Sequence, residues 1–267
     1  MTYVYPVISR RSGGVSIGIN LNPNNACNWR CIYCQVPDLK RGSAPKIDLI
    51  RLEQELRIFL RESLEGDFMA QKVPPECQRI NDIALSGNGE PTSAKAFAEV
   101  IEIIARVKHE FVLPESIKLV LITNGSLINR ETVQEGIARM ASLNGEVWFK
   151  FDSALAQRRL QINNASISNA TILRHLKLSA SLCPTWIQTC VFKIDGDPAS
   201  GEEIDAYLNF LRTALQQGIK LQGILLYGLA RPSLQAESSR LSNVAEDWME
   251  KFADAIRSLT IEVKVHP

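Results

Sequence analysis

The chain has 267 residues, of which 45% are hydrophobic and 22% charged, and its formal net charge is +1. This composition is typical of a globular protein with a sizeable core. The balanced charge argues against a protein that binds duplex nucleic acid or anionic membranes nonspecifically, but it leaves RNA open as a substrate. No apolar run has the length that spans a membrane, and the N-terminus lacks a secretory signal, so we expect a cytoplasmic protein without membrane contact.

Apolar, β-rich runs alternate with stretches of helical period, and no Pro/Gly/Ser-rich linker divides them. The repeated order of strand and helix implies a parallel sheet, either a barrel or an open, doubly wound sheet. We therefore predict one α/β domain over residues 1–267, with a lead-in segment over 1–14. The predicted strands are 15–22, 82–86, 117–123, 146–151, 186–194 and 220–228, with a short seventh at 261–265, and the predicted helices are 48–65, 93–110, 130–143, 168–182, 201–217 and 241–259.

Polar residues follow each of the six main predicted strands. In both architectures, catalytic and binding groups gather at the carboxyl ends of the strands. Glycine, carboxylate, lysine and arginine that converge on one rim favour a cofactor-binding mouth over a set of ordinary turns. The segments are NNACNWRCIYCQVP (24–37), SGNGEPT (86–92), TNGS (123–126), KFDSA (150–154), KIDGD (193–197) and YGLARPS (227–233).

Three of the six cysteines, Cys27, Cys31 and Cys34, fall within eight positions in a C-x3-C-x2-C pattern. Pro23 and the nearby asparagines place them on a loop, where three thiolates can converge. In a reducing compartment such a cluster indicates metal or redox chemistry. Three inert buried cysteines and a zinc site with an open fourth position are alternatives. A [4Fe-4S] cubane normally takes four thiolates, so three would leave one iron free for a chelating ligand.

This pattern, with Tyr33 before the last cysteine, resembles the signature of the radical S-adenosylmethionine (SAM) enzymes. With SGNGEPT, TNGSL, KFDSA and ARPS, the chain is similar to the stand-alone iron-sulfur oxidoreductase branch of that superfamily, which is related to the radical enzymes that build wyosine bases in tRNA. The resemblance implies a partial (β/α)6 barrel, and so favours the barrel over the doubly wound sheet. It also implies a [4Fe-4S] cluster on Cys27, Cys31 and Cys34, SAM chelated to the free iron, and a 5′-deoxyadenosyl radical that abstracts hydrogen from the substrate.

The same resemblance suggests which residues bind the cofactor. The GNGEP segment offers glycines for close backbone approach and a carboxylate for the SAM ammonium, although Asn88 stands where many relatives have glycine. Tyr33 would lie near the adenine. The alternatives are an ordinary turn and ordinary loop packing. The predicted cofactor-binding residues are Tyr33, Gly87, Asn88, Gly89, Glu90, Asn124, Lys150 and Asp152.

Lys150 and Asp152 are two residues apart, so on a strand both face the same side and must pair or bind something polar. By resemblance they contact the SAM carboxylate and ribose, or the substrate; a mutual salt bridge is the alternative. Arg231 offers a planar fork for a carboxylate or phosphate of the substrate, with a rim-exposed arginine as the alternative. Arg10 and Arg11 resemble a family motif or form a solvated turn.

The sequence indicates only the classes of substrate and partner. A small molecule fits the near-zero charge, whereas a tRNA base fits the named relatives of the branch. The resemblance implies an electron donor such as flavodoxin or ferredoxin. A glycyl-radical-enzyme activase and a noncatalytic zinc-binding module are the alternative functions. We assign Cys77, Cys183 and Cys190 to no site.

Overall fold

A computed structural model describes residues 1–9 and 13–267. Arg10 and Arg11 lie outside the described residues. The strands are β1 (Val4–Ser9), β2 (Gly14–Asn20), β3 (Ala26–Cys27), β4 (Lys40–Arg41), β5 (Ile80–Ser86), β6 (Lys118–Thr123), β7 (Gly145–Lys150), β8 (Thr185–Cys190), β9 (Lys193–Ile194), β10 (Gly223–Tyr227), β11 (Leu241–Ser242) and β12 (Val263–His266). The helices are α1 (Leu49–Leu64), α2 (Phe68–Lys72), α3 (Phe97–Glu110), α4 (Glu131–Ala141), α5 (Ala156–Asn163), α6 (Asn169–Leu182), α7 (Gly201–Gln216) and α8 (Glu246–Arg257).

The largest sheet has eight strands in the order β1-β2-β5-β6-β7-β8-β10-β12. β1 is antiparallel to β2, whereas the other neighbouring strands of this sheet are parallel. The sheet begins at β1 and ends at β12, so the barrel that it forms is open between these edges. The predicted fold class, a partial (β/α)6 barrel of parallel strands with a short seventh strand, is confirmed. No helix among the described residues is both long and apolar enough to cross a membrane.

Helices cover one face of the sheet, as the sequence pattern predicts. α1 buries Leu52, Leu56 and Leu60 at four-residue steps, which places them on one side of the helix. The helix begins after Asp48, whose side chain accepts a hydrogen bond of 3.0 Å from the backbone N–H of Arg51. The main cluster of buried apolar side chains joins such helix faces to one face of the sheet. Alternate residues of the same strands therefore face the lumen of the barrel.

Of the elements that were not predicted, β1 and α5 bear most on the sheet and the site. The segment assigned as a lead-in contains β1, which pairs with β2 and extends the sheet; Pro6 within a six-residue run masks the strand signal. Helix α5 was missed because its buried side chains are Arg159, Ile162 and Asn163, which do not form an apolar stripe. The predicted strand at 186–194 is also too long, because β8 ends at Cys190.

Glu55 on α1 anchors the start of the chain. Its buried carboxylate accepts hydrogen bonds of 2.7 to 3.2 Å from the backbone N–H groups of Thr2, Tyr3 and Val4, and Arg51 Nε donates at 2.9 Å. Burial alone would raise the pKa of Glu55, but these donors hold it below the ordinary 4.5. The stabilisation is therefore complete above about pH 4.5 and is lost as pH falls through the lower pKa of the folded state.

We expect Glu55→Gln to lower the free energy of unfolding by about 2 kcal/mol at pH 7, because the donors lose a charged acceptor. Urea unfolding at pH 7 and at a pH below the lowered pKa of Glu55 in the folded protein measures the effect. The difference from wild type should shrink at the lower pH, where Glu55 is itself protonated. Glu62→Gln, at an exposed position of the same helix, is the control and should change stability by less than about 0.5 kcal/mol. An equal loss at both pH values would contradict the role of the charge.

Candidate active site

A cavity of about 400 Å³ opens at the carboxyl ends of the strands, beside the cysteine loop. Cys27, Cys31 and Cys34 all line it. The cavity is also lined by seven of the eight predicted cofactor-binding residues, namely Tyr33, Gly87, Asn88, Gly89, Glu90, Asn124 and Lys150. Asp152 lies behind this wall with a fully buried side chain. Arg231 is exposed and is not part of the lining, although Leu229 and Ala230 are.

The first half of the cysteine loop is fixed by asparagines. Asn22 donates from Nδ2 to the carbonyl of Ala26 at 2.8 Å, and Asn20 Oδ1 accepts from the backbone N–H of Asn88 at 3.1 Å. A Cβ on Gly89 would lie 2.1 Å from the same Ala26 carbonyl. Gly89 is therefore required by contact between the two loops. This is a reason for glycine that is independent of cofactor binding.

The second half of the loop rests on α5, the helix that the sequence did not reveal. The backbone N–H groups of Arg30 and Ile32 donate to the carbonyls of Asn163 and Ile162 at 3.1 and 2.8 Å. The end of α5 thus supplies acceptors to the segment around Cys31. The last turn of α5 therefore orders the cysteine loop, although this helix has no apolar stripe.

The segment after β10 forms hydrogen bonds with the backbone of the cysteine loop. The Ser233 hydroxyl donates to the carbonyl of Ile32 at 2.7 Å, and the backbone N–H of Leu234 donates to the carbonyl of Cys34 at 3.0 Å. Arg30 and Glu237 form a bidentate ion pair with N–O distances of 2.8 and 2.9 Å. In ARPS the structure therefore assigns a positioning contact to the serine, whereas the predicted substrate contact of the arginine stays a prediction.

Glu90 is committed to protein contacts. Its Oε1 accepts from the hydroxyls of Thr92 and Thr123, both at 2.6 Å, and its Oε2 accepts from the backbone N–H of Asn124 at 2.7 Å. Burial raises the pKa of Glu90, and these donors partly offset the rise. The carboxylate joins the loops after β5 and β6. Its contact with the SAM ammonium stays a prediction.

The amides at the rim are also engaged with one another. Asn124 Nδ2 donates to Asn28 Oδ1 at 2.8 Å, and Asn88 Nδ2 donates to Asn25 Oδ1 at 2.7 Å. Each bond joins the cysteine loop to a different strand end. These hydrogen bonds between side-chain amides hold the loops of the rim together, so the cavity wall is ordered before any ligand binds.

Lys150 forms the centre of a buried polar cluster. Its Nζ donates to the hydroxyls of Tyr33 at 2.6 Å and Tyr227 at 3.1 Å, and lies 4.0 Å from Asp152 Oδ2. The Tyr33 hydroxyl donates in turn to Asp152 Oδ2 at 2.5 Å. Burial alone would lower the pKa of Lys150, but the Asp152 charge raises it well above its ordinary value, so the ammonium is retained. An ammonium has three N–H donors, which leaves one for a ligand.

The thiols lie in a low-dielectric setting. Burial raises the pKa of Cys27 to about 11 and that of Cys31 to about 12, and it raises the pKa of Cys34 as well. Without a metal they are neutral thiols at pH 7, and metal binding must release their protons. Two N–H groups already point at sulfur: Trp29 N lies 3.4 Å from Cys27 Sγ, and Asn163 Nδ2 lies 3.3 Å from Cys31 Sγ.

Comparison with known proteins decides the family. The model of the radical SAM superfamily matches residues 21–229. The chain belongs to the radical SAM superfamily. A UPF0026 protein of Helicobacter pylori (strain J99) is 30% identical over 133 residues, which are 49% of this chain and only 37% of that relative. The solved structure of a radical SAM methyltransferase from Sphaerobacter thermophilus has a TM-score of 0.58 at 12% identity, covering all of this chain and 78% of the other. SuiB from Streptococcus suis, solved with SAM, gives 0.56 at 11% identity, covering 94% of this chain and 46% of that one.

Radical SAM proteins bind a [4Fe-4S] cluster and SAM, and these are the cofactors of the chain. The donor set fits the cluster, because three thiols line one cavity and N–H groups are aimed at two of the sulfurs. Within residues 1–9 and 13–267, no three His, Cys, Asp or Glu side chains converge on a point that a single metal ion would occupy. A cubane does not need such convergence, since each thiolate binds a different iron.

Several residues of this radical SAM site were missed from the sequence. Tyr227 and Cys190 line the cavity at the ends of β10 and β8, and Asn163 and Ser233 touch the cysteine loop. Tyr227 ends an apolar strand and Asn163 ends a polar helix, so neither stands out by composition. Tyr227 and Ser233 are the first and last residues of the YGLARPS segment, and their place at a polar strand end was the usable signal.

We expect Asn163→Leu to shift the reduction potential of the assembled cluster to a more negative value, because an N–H donor to the Cys31 thiolate is lost. The orientation of the amide is fixed, since Nδ2 also donates to the acceptor-only carboxylate of Asp152 at 2.7 Å. A spectroscopic redox titration measures the shift. Asn88→Ala, which removes a rim amide that donates to Asn25 and not to a cysteine sulfur, is the control. An unchanged potential in Asn163→Leu would show that the bond does not tune the cluster.

Proposed function

We propose that this chain is a radical SAM enzyme of oxidoreductase or transferase type that abstracts a hydrogen atom from a small-molecule substrate. The observation that carries the proposal is the placement of Cys27, Cys31 and Cys34 on one cavity within the family-matched region. When bound, the cluster and SAM supply reductive cleavage of SAM to methionine and a 5′-deoxyadenosyl radical. The cleavage consumes one electron, so we propose a donor protein such as flavodoxin or ferredoxin as partner.

The chain's own residues hold and orient the reactants. Cys27, Cys31 and Cys34 would lose their protons and hold three irons of the cluster, which would leave the fourth iron to a ligand in the cavity. Lys150, with one N–H unused by Tyr33 and Tyr227, is placed to donate to a carboxylate there. Asp152 is covered by protein, so we propose that it orients Tyr33 and balances the Lys150 charge instead of contacting SAM.

Water exclusion is a second task of the cavity wall. Trp29, Val36, Leu39 and Leu229 line the cavity on the side of the cysteine loop and the segment after β10. Apolar side chains at this position limit solvent access to a reactive intermediate. None of the six cysteines forms a disulfide, and three of them are the cluster ligands, so we propose a reducing compartment such as the cytoplasm.

Anaerobic reconstitution with iron and sulfide, followed by reductant and SAM, tests the proposal. We expect 5′-deoxyadenosine to form only when cluster, reductant and SAM are all present, and we expect slow formation even without substrate. A protein with a complete cluster that releases no 5′-deoxyadenosine would contradict the proposal. Anaerobic purification of a colourless protein that holds zinc would support the zinc-binding module instead.

A small molecule is favoured over tRNA as the substrate because the net charge is only +1. An electrophoretic shift on tRNA that disappears at high salt would indicate the tRNA alternative. We expect no such shift at physiological salt.

A further inference from the structure

A second cavity of about 360 Å³ lies in the lumen, toward the amino-terminal ends of the strands. Gln188 and Tyr227 line both this cavity, termed the lower cavity, and the active-site cavity. The two cavities are therefore neighbours that share part of one wall. In closed barrels this part of the lumen is filled by layers of branched apolar side chains. Here it has a volume typical of small-molecule sites.

Two indole rings form the middle of the lower cavity wall. Trp148 on β7 and Trp186 on β8 are direct partners in the parallel register, so their side chains lie next to each other on the lumen face. Trp186 is buried, and Lys264 Nζ covers its ring at 4.1 Å from the centroid. Trp148 is only partly buried. Its ring is the one that a flat ligand can reach.

Charged side chains flank the indoles on the side of β5 to β7. Lys118 lies directly across the register from Asp82 and forms an ion pair with Glu146. Ser16 donates a hydrogen bond to Asp82. Two carboxylates and one ammonium line this side, and the ammonium is paired with Glu146, so this part of the lower cavity is rich in hydrogen-bond acceptors. The ammonium of Lys264 stands on the opposite side, at the β12 edge.

The amide of Gln188 stands where the two cavities meet. Its side chain makes no hydrogen bond to the part of the chain that the structure describes. A side-chain amide offers two donors and one acceptor with two lone pairs. It is the group that a ligand spanning from the lower cavity toward the cysteine loop would meet first.

We propose that the lower cavity binds the substrate of this enzyme, and that the substrate is a planar heteroaromatic molecule of nucleobase or nucleoside size. The inference rests on the proposed function, because it assigns the substrate of the same site. The ring stacks on Trp148, its N–H groups face the carboxylates of Asp82 and Glu146, and its carbonyl groups face Gln188 and Lys264. This arrangement places the end of the substrate nearest Gln188 next to the active-site cavity.

The arrangement of charge selects this class of molecule. The ring of phenylalanine, tyrosine or tryptophan carries at most one hydrogen-bonding group, so the ring alone cannot reach both the acceptor side and the donor side of the cavity. A heteroaromatic ring with amino and carbonyl groups can form hydrogen bonds on both sides of the cavity. Stacking of a base on an aromatic side chain is also favourable for any of the bases. A nucleic acid chain would need a basic track for its phosphates, which the near-neutral chain does not favour.

Equilibrium dialysis of the reconstituted enzyme with SAM tests the inference, with adenosine, guanosine, cytidine and uridine as probes and free tryptophan as the comparison. We expect at least one nucleoside to bind and Trp148→Leu to weaken its binding about tenfold. Gln188→Met, which keeps the volume and removes the amide, is the second variant and should also weaken binding. Trp248→Leu, on α8 beside Phe252, is the matched control and should bind the nucleoside as wild type does.

Three results would overturn the inference: no nucleoside binds, Trp148→Leu and Gln188→Met bind as tightly as wild type, or tryptophan binds in place of the nucleosides. Salt-sensitive tRNA binding without nucleoside binding would overturn it in favour of a nucleic acid substrate. Formation of 5′-deoxyadenosine by the same wild-type preparation is measured separately. If that product forms and no nucleoside binds, the inference fails and the proposed function stands; if it does not form, the proposed function fails.

Discussion

Replacing Cys31 by alanine is expected to abolish cluster assembly and, with it, all formation of 5′-deoxyadenosine. Cys31 lies between the other two motif cysteines, and its sulfur already accepts a hydrogen bond from Asn163. With two thiolates left, two irons of the cubane would lack a protein ligand. The measurements are iron and sulfide per chain, the visible absorption of the reconstituted protein, and 5′-deoxyadenosine after addition of reductant and SAM.

Two other cysteines provide matched controls. Cys77 is 1% exposed and packs in the core away from the cavity, so Cys77→Ala should keep the cluster. Cys190 is the sharper control, because it lines the same cavity but lies outside the motif. We expect Cys190→Ala to keep the cluster as well. A Cys31→Ala protein that retains a full cluster, or a Cys190→Ala protein that loses it, would overturn the assignment of the three ligands.

Local sequence was sufficient to predict which short motifs lie together, whereas the roles of their residues stay predictions. The cysteines and the GNGEP segment are short motifs in which spacing alone carries the information, and the structure brings them to one cavity. Asn163 and Tyr227 reach the same site from elements more than 100 residues away in sequence from the cysteine loop. Only the path of the chain brings them there. No local signal marks a residue whose role is to touch another residue's sulfur or ammonium.

The fold likewise contains elements with a local sequence signal and elements that depend on distant residues. The strands β2, β5, β6, β7, β8 and β10 were predicted because each is an apolar run bounded by polar turns. The edge strand β1 depends instead on Glu55, a residue of α1 that binds the backbone just before the strand. Helix α5 depends on the cysteine loop that it supports. Both elements are stabilised by partners distant in sequence, which periodicity does not reveal.

Lys150→Met is expected to lower the free energy of unfolding of the cofactor-free protein by about 3 kcal/mol. The substitution removes the cation beside Asp152, whose side chain is fully buried, and leaves a carboxylate without its charge partner. It also removes a donor to Tyr33, the residue that ties the cysteine loop to β7. Urea unfolding followed by circular dichroism measures the loss. Lys118→Met is the control, because its ion pair with Glu146 is partly exposed and should contribute less than about 1 kcal/mol.

A double-mutant cycle separates charge pairing from packing. In Lys150→Met with Asp152→Asn, neither charge remains, whereas the Asn side chain can still occupy the site of the carboxylate. We expect the double variant to be more stable than Lys150→Met alone, because the uncompensated charge is gone. Losses that simply add would show that the two groups are not coupled. If the coupling is present without cofactors, the Lys150 ammonium is held in place before any ligand arrives. A carboxylate that enters the cavity then binds a donor that is already ordered, so binding loses little further side-chain entropy.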